Sequence, residues 1–383
     1  MKIAIAGAGT MGIGIAQVAA SAGNNVILYD INSDILSRAE NGLIKTLDKL
    51  VSKGKMTESL AREILNSIRF TSDINLIENS ELVIEAIIEK IEIKQNLFAQ
   101  IEPLVSEETI LASNTSSLAI AEIFSKLDFP QRGIGLHFFN PAPVLPLVEV
   151  VPSLLTAPDI TKKAYDLMKV WGKVPVIAKD LPGFIVNRIA RPFYGEALRI
   201  YEEGIADFRE IDKVMKDNGF RMGPFELMDL IGNDVNYTVS ETVFGEYYYD
   251  PRYKPSILQK RMKQAGLLGR KSGKGFYDYS EENKVIPEIE TEKAAGIFLR
   301  IISMLINEAA DALIYNVASK NDIELAMTKG VNYPKGLLAW ADEIGIGKIF
   351  FELTRLQNYY GEDRYRPSPL IREYSENGMK FFD

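Results

Sequence analysis

Along the first half of the chain, apolar and polar positions alternate in short blocks. Lys2-Ile3-Ala4-Ile5-Ala6 is an apolar run of strand length, and Gly7-Ala8-Gly9-Thr10-Met11-Gly12 follows it directly. Small residues continue through Ala20 as a helix would, and Asn25 to Asp30 is a second apolar strand that closes on an acid. Ile35 to about Val51 carries a helical period. Glu81 to Ala86, Thr109 to Asn114, Gly133 to Phe139 and Leu147 to Val151 read as further strands. Strands alternating with helices predict a parallel, doubly wound sheet that binds ligands at the carboxyl ends of its strands. From Pro182 the period turns helical, and Pro182 with the run Ile185 to Glu203 predicts one long helix. The fold class expected is α/β plus all-α, a Rossmann-like sheet followed by a helical region.

The first block carries specific chemistry. Strand, glycine turn, helix, strand and acid follow one another within about thirty residues, the layout of a dinucleotide site. Gly7 permits the tight turn, Gly9 lets backbone amides approach a pyrophosphate, and Gly12 lets the helix pack close to the sheet. Thr10 and Met11 open the helix, whose free N–H groups and positive dipole end favour an anion. Asp30 is placed to accept from both ribose hydroxyls and to repel a 2′-phosphate, so the cofactor expected is NAD rather than NADP. Glu89, Asn114 and Ser116 stand at or just beyond strand ends, where the alternative for each is a solvated loop residue.

His137 is the chain's one histidine, set among aromatics in Leu136-His137-Phe138-Phe139-Asn140-Pro141. Glu149 interrupts the apolar run Leu147-Val148-Glu149-Val150-Val151, where a carboxylate is costly unless paired. If these segments are neighbouring strands joined by the turn from Pro141 to Pro146, Glu149 meets the imidazole. That pair suits alcohol oxidation. A hydride leaves carbon only as the hydroxyl proton is taken, a neutral imidazole can take it, and a carboxylate fixes the tautomer. The competing reading is a core histidine bonded to an arbitrary acid.

Composition narrows the field. With 46% hydrophobic and 25% charged residues, the 383-residue chain has the profile of a soluble protein of two or three domains. A net charge of −8 argues against nucleic acid as a partner. No apolar run is long enough for a membrane span, and the N-terminus shows no secretory signal. The absence of cysteine removes disulfides and thiolate metal sites, and no metal site is expected. The location expected is cytoplasmic.

The helical region repeats itself at a nearly constant offset. Glu196-Ala197 matches Glu308-Ala309, and Ile211 to Met215 matches Ile323 to Met327. Gly223, Asp229 and Gly232 match Gly336, Asp342 and Gly345, and Arg252 to Ser256 matches Arg364 to Ser368. Two copies of one helical unit follow, giving domains at residues 1–180, 181–288 and 289–383. Asn187 corresponds to Leu299, and the glycine-rich stretch Gly269 to Phe276 has no counterpart before Asp383, so the second copy is read as structural.

Taken together, these residues resemble the 3-hydroxyacyl-CoA dehydrogenases of fatty-acid oxidation. The matching stretches are Gly7 to Gly14, Val83 to Ala86, Ser113 to Leu118, Leu136 to Pro141, Leu147 to Val150, Pro182 to Arg188, Met222 to Phe225 and Gly269 to Phe276. The resemblance implies oxidation of an (S)-3-hydroxyacyl-CoA, such as 3-hydroxybutyryl-CoA, with His137 as base, Glu149 as its orienting partner, and Ser116 and Asn187 on the reacting oxygens. It also implies Glu89, Lys94, Asn140 and Lys271 near the cofactor, and Thr46 and Lys53 toward the coenzyme A end. Single-unit members pair through the helical domain, whereas multifunctional members carry two copies. The chain resembles the dehydrogenase part of the latter, which implies a monomer with an internal pseudo-dimer, or a homodimer. The alternatives are an NAD-dependent dehydrogenase of a free hydroxy acid and a non-catalytic NAD-binding protein.

Overall fold

In the computed structural model, which describes residues 1–280 and 288–382, the chain forms two compact units that divide between Leu181 and Pro182. The closing stretch of the expected 181–288 domain, residues 281–287, lies outside the described residues.

The first unit is built on an eight-stranded sheet of order β3-β2-β1-β4-β5-β6-β7-β8. The strands are β1 (Lys2–Ala6), β2 (Asn25–Tyr29), β3 (Ile68–Thr71), β4 (Leu82–Glu85), β5 (Ile110–Ser113), β6 (Gly133–Phe138), β7 (Leu147–Val151) and β8 (Val174–Ile177). β1 to β6 run parallel; β7 turns back antiparallel to β6, and β8 runs parallel to β7. The parallel expectation therefore stops at β6. Helices α1 (Thr10–Ser21), α2 (Ser33–Ser52), α3 (Glu58–Asn66), α4 (Ile91–Ile101), α5 (Ile120–Phe124) and α6 (Pro158–Val170) complete the unit. β1, β4, β5 and β6 are buried along nearly their whole length, as strands covered on both faces must be. The sequence pattern did not reveal β3 and β8, whose short strands mix apolar with polar or proline residues.

In the second unit Pro182 lies outside any helix, and the predicted long helix is broken. Gly183 and Phe184 have φ of 77° and 46°, then come α7 (Val186–Ile189) and α8 (Arg191–Glu202). Pro192, in the first turn of α8, has no N–H to continue the ladder from α7. After them come α9 (Phe208–Asp217), α10 (Pro224–Ile231), α11 (Asn233–Glu246) and α12 (Ile257–Gln264). The same order recurs as α13 (Thr291–Ile314), α14 (Lys320–Leu325), α15 (Leu337–Ile344), α16 (Ile346–Tyr360) and α17 (Pro369–Asn377).

The two helical sets exchange buried ion pairs. Arg188 Nε donates to Glu308 at 2.6 Å, and Arg300 Nε donates to Glu196 at 2.6 Å. Tyr253 Oη donates to Glu308 at 2.6 Å, while its counterpart Tyr365 donates to Glu196 at 2.8 Å. Both glutamates are at most 1% exposed, so each buried carboxylate is neutralised from the opposite set. The C-terminal tail also has an internal counterpart. Asp229 accepts from the N–H groups of Phe276 and Tyr277, and Asp342 accepts from those of Phe381 and Phe382. The strap that seemed absent from the second set is thus kept at its end; what is missing is the glycine loop before it.

Candidate active site

The ends of β1, β4 and β5 are in register at Ala6, Glu85 and Ser113, level with Gly135 inside β6. The loops beyond that row hold Gly7, Gly9, Glu89, Asn114 and Ser116, while His137 and Glu149 lie within β6 and β7 and Lys94 in α4. The order of strands reverses between β1 and β4, where such sheets bind ligands.

Beyond β1, Gly7 sits at φ 108°, and a Cβ there would meet Ala86 O at 2.6 Å. A Cβ on Gly12 would meet Gly7 O at 1.7 Å, so the start of α1 is wedged against the turn. At Gly9 a Cβ would meet nothing within 4 Å; the space over this residue is open. Gly9 caps α1 without a side-chain bond, and the first turn of α1 holds no acid. The N–H groups at Thr10 and Met11 therefore face a region suited to an anion. Asp30 accepts from Ala8 N at 2.8 Å and from Asn32 N at 3.0 Å. These bonds fix its carboxylate beside the glycine loop, and each oxygen keeps a lone pair for a further donor. This cradle fits a dinucleotide's pyrophosphate and ribose.

Beyond β4 and β5, Glu89 gathers the Thr115–Ser117 loop. It accepts from Thr115 Oγ1 at 2.6 Å, Ser116 N at 2.9 Å and Ser117 Oγ at 3.0 Å. Lys94 is 1% exposed and bridges two acids, Glu85 at 2.6 Å and Glu89 at 3.1 Å. Burial works to raise the Glu89 pKa, but the Lys94 charge, the Thr115 hydroxyl and the Ser116 N–H outweigh it and hold the carboxyl below its ordinary value. Lys94 thus stands behind Glu89. Its other partner, Glu85, is fully buried and also accepts from Ser113 Oγ at 2.6 Å. Sequence reading passed Glu85 over, although an acid ending the apolar run Leu82-Val83-Ile84 carries the same signal as Glu149. Asn114 Oδ1 accepts from Phe138 N at 2.8 Å, tying the end of β5 to the strand that bears His137.

His137 and Glu149 are direct partners in the β6–β7 ladder. Nδ1 of His137 lies 2.6 Å from Glu149 Oε2, with the imidazole 7% exposed and the carboxylate 0%. An ionised carboxylate only accepts, so the proton belongs on Nδ1 and Nε2 is the basic nitrogen. Phe139 lies against the imidazole at 4.4 Å between ring centroids. The loop from Asn140 to Pro146 packs on α1, where a Cβ at Gly14 would meet Ala142 at 3.3 Å. Asn140 itself is exposed.

A cleft of about 1080 Å³ opens between α1, α2, this loop and Trp171-Gly172-Lys173. Thr46 lines it, with its hydroxyl bonded to Gly42 O at 2.8 Å. Lys53 caps the end of α2, is exposed, and does not line the cleft. In the helical unit Asn187 lies in α7, and Lys271 pairs with Asp234 at 2.6 Å. Among the described residues no cluster of metal-ligating side chains occurs, and no helix is long and apolar enough to cross a membrane.

Fold and site together define an NAD-dependent oxidoreductase. The model of the 3-hydroxyacyl-CoA dehydrogenase NAD-binding domain matches residues 2–181, and that of the family's C-terminal domain matches residues 183–279 and 297–380. The chain belongs to the 3-hydroxyacyl-CoA dehydrogenase family. It is 37% identical to the 3-hydroxyadipyl-CoA dehydrogenase of Escherichia coli K12, over 97% of this chain and 96% of that one. It is 42% identical to the 3-hydroxybutyryl-CoA dehydrogenase of Clostridioides difficile, over 73% of this chain and 100% of that one. The crystal structure of 3-hydroxybutyryl-CoA dehydrogenase from Escherichia coli K12 MG1655 superposes with a TM-score of 0.94 at 36% identity, covering 98% of both chains.

Proposed function

We propose that this chain oxidises the 3-hydroxyl of an (S)-3-hydroxyacyl-CoA to the 3-oxo thioester, with His137 as general base. The observation that carries the reading is the buried His137–Glu149 pair at 2.6 Å, with His137 on β6, three strands along the sheet from β1, whose following loop forms the dinucleotide cradle. NAD, when bound, supplies the hydride acceptor. Nε2 of His137 takes the hydroxyl proton as the C3 hydride departs, and Glu149 stabilises the imidazolium that forms. Ser116 and Asn187 hold the reacting oxygens. Glu89, Asn114 and Asn140 face the nicotinamide end of the cofactor with Lys94 behind Glu89, and Lys271 completes the set. Thr46 and Lys53 serve the coenzyme A end. The named relatives support both a four-carbon acyl group and a six-carbon dicarboxylic one.

The second helical copy stands in for a partner subunit. Its exchanged ion pairs with the first copy are the contacts a closed two-fold interface would make, here within one chain and so at high effective concentration.

The test is a panel of 3-hydroxyacyl-CoA esters and free hydroxy acids, with NAD and with NADP, followed by nicotinamide reduction. Turnover of the CoA esters with NAD is expected. A well-folded protein that oxidises only free hydroxy acids, or that prefers NADP, would overturn the reading.

A further inference from the structure

Arg191 is 8% exposed, yet no carboxylate pairs with it among the described residues. The other arginines of comparable burial in the helical unit, Arg188, Arg252, Arg300 and Arg364, each have a carboxylate within 4 Å. Arg191 meets only neutral oxygens. Its side chain folds back over the preceding turn, as helical side chains do, and Nε donates to Asn187 O at 2.8 Å. Nη1 reaches Asn236 O at 3.4 Å and Ser240 Oγ at 3.2 Å. The Tyr194 ring lies 5.0 Å from the guanidinium carbon. Nη2 takes no partner among the described residues and is not sealed in. Burial lowers the Arg191 pKa, with only tyrosines opposing the shift, as expected for a cation without its anion.

A second donor nearby lacks an acceptor. Tyr333, from the second helical copy, is 5% exposed, and its hydroxyl is buried with no hydrogen-bond partner. The Tyr333 ring lies 5.8 Å from that of Phe193, two residues from Arg191 in α8, and the Arg191 charge pulls against the burial that raises the Tyr333 pKa well above the ordinary value. Burying a cation and a hydroxyl without their partners is costly, and one carboxylate would satisfy both.

We propose that Arg191, with Tyr333 beside it, is a carboxylate subsite that selects acyl chains ending in a second carboxylate, a 3-hydroxydicarboxylyl-CoA. This rests on the reading above in which Asn187 touches the reacting end of the substrate. Arg191 follows Asn187 by one helical turn of about 5.4 Å. From the C3 hydroxyl oxygen to a terminal carboxylate oxygen of a six-carbon diacyl chain, five bonds span roughly 6 Å when extended, close to that turn. The second copy then contributes Tyr333 to specificity as well as packing.

The experiment compares kcat/KM for 3-hydroxyadipyl-CoA and 3-hydroxyhexanoyl-CoA, which have the same carbon count but a charged or a neutral end. The wild type should favour the charged chain by about tenfold or more. In Arg191→Met the ratio should fall by roughly 10²-fold, as when a charge-assisted contact is lost, and Arg191→Lys should keep part of it. Tyr333→Phe removes a single hydroxyl and should raise KM for the charged chain by about fivefold. Should Arg191→Met fail to fold, the wild-type ratio and Tyr333→Phe decide. A wild-type ratio near one, or a ratio that survives Arg191→Met, overturns the subsite. Turnover of 3-hydroxybutyryl-CoA but of neither six-carbon ester overturns the subsite and leaves the function standing, whereas turnover of none of the three overturns the function and the subsite with it.

Discussion

In the first helical copy Asn187 lies in α7, which is capped at Ala190, just before Pro192 in the first turn of α8. In the second copy the equivalent stretch is the uninterrupted α13, with Leu299 in place of Asn187 and Met304 in place of Pro192. Around that difference the interiors agree. Asp212 caps α10 by accepting from Phe225 N and Glu226 N, and Glu324 caps α15 by accepting from Leu338 N and Ala339 N. Asp229 and Asp342 each anchor a strap of two aromatic residues. The copies therefore share what folds a helical unit and differ at the position proposed to meet the substrate. The break before Pro192 interrupts regular helix beside Asn187, and the uninterrupted α13 keeps it beside Leu299.

The largest effect should come from removing the second copy. A chain ending at Glu288 leaves Glu196, Arg188 and Tyr253 without the partners described above. It should aggregate or form homodimers, read by mass in solution and by thermal melting. A soluble monomer as stable as the parent would break the comparison.

Exchanging the residues that distinguish the copies sharpens it. Asn187→Leu should lower kcat by roughly 10²–10³-fold, the range for removing a donor that acts in the transition state. Leu299→Asn, at the same place in the other copy, should leave turnover near that of the wild type. Equal losses from the two substitutions, measured with one substrate, would contradict the division of labour.

The shared interior predicts equivalence. Glu308→Ala strands Arg188, and Glu196→Ala strands Arg300, each at less than 10% exposure. Each should cost about 3–5 kcal/mol of unfolding free energy, the range for breaking a buried pair. A large cost on one side alone would mean that the internal symmetry does not extend to energetics.

The last effect is graded with pH. Burial pushes the Asp212 carboxyl up to about 7, against the bonds from Tyr277, Phe225 and Glu226. When a folded-state pKa lies above the unfolded one, the unfolded chain ionises first as pH rises. Stability from Asp212 is then full below pH ~4 and declines until about pH 7, by an amount on the order of 4 kcal/mol. Thermal midpoints across that window should fall less steeply in Asp212→Asn. Parallel curves for the two proteins would remove Asp212 as the cause.

The sequence exposed what local pattern encodes. The cradle was legible because the glycines, the flanking strands and Asp30 are contiguous. The His137–Glu149 pair was legible because a lone acid in an apolar strand must find a partner, and the hairpin supplies the nearest one. The duplication was legible from Arg252 to Ser256 and Arg364 to Ser368. Other features depend on distant pairings. Lys94 reads as a ligand contact until Glu85, at the end of another element, is seen to bury it. Arg191 looks like any helical arginine until the carboxylates turn out to lie elsewhere. The strap at Phe381 was hidden because the spacing between Asp342 and the tail differs from that between Asp229 and Phe276.

The central claim, that an imidazole oriented by Glu149 removes the hydroxyl proton, is tested most directly by steady-state oxidation of 3-hydroxybutyryl-CoA with NAD in the wild type and in His137→Gln. The account predicts NAD reduction by the wild type and a kcat lower by roughly 10²–10⁴-fold in the variant, with NAD affinity little changed. Near-normal turnover by a folded His137→Gln protein would contradict it.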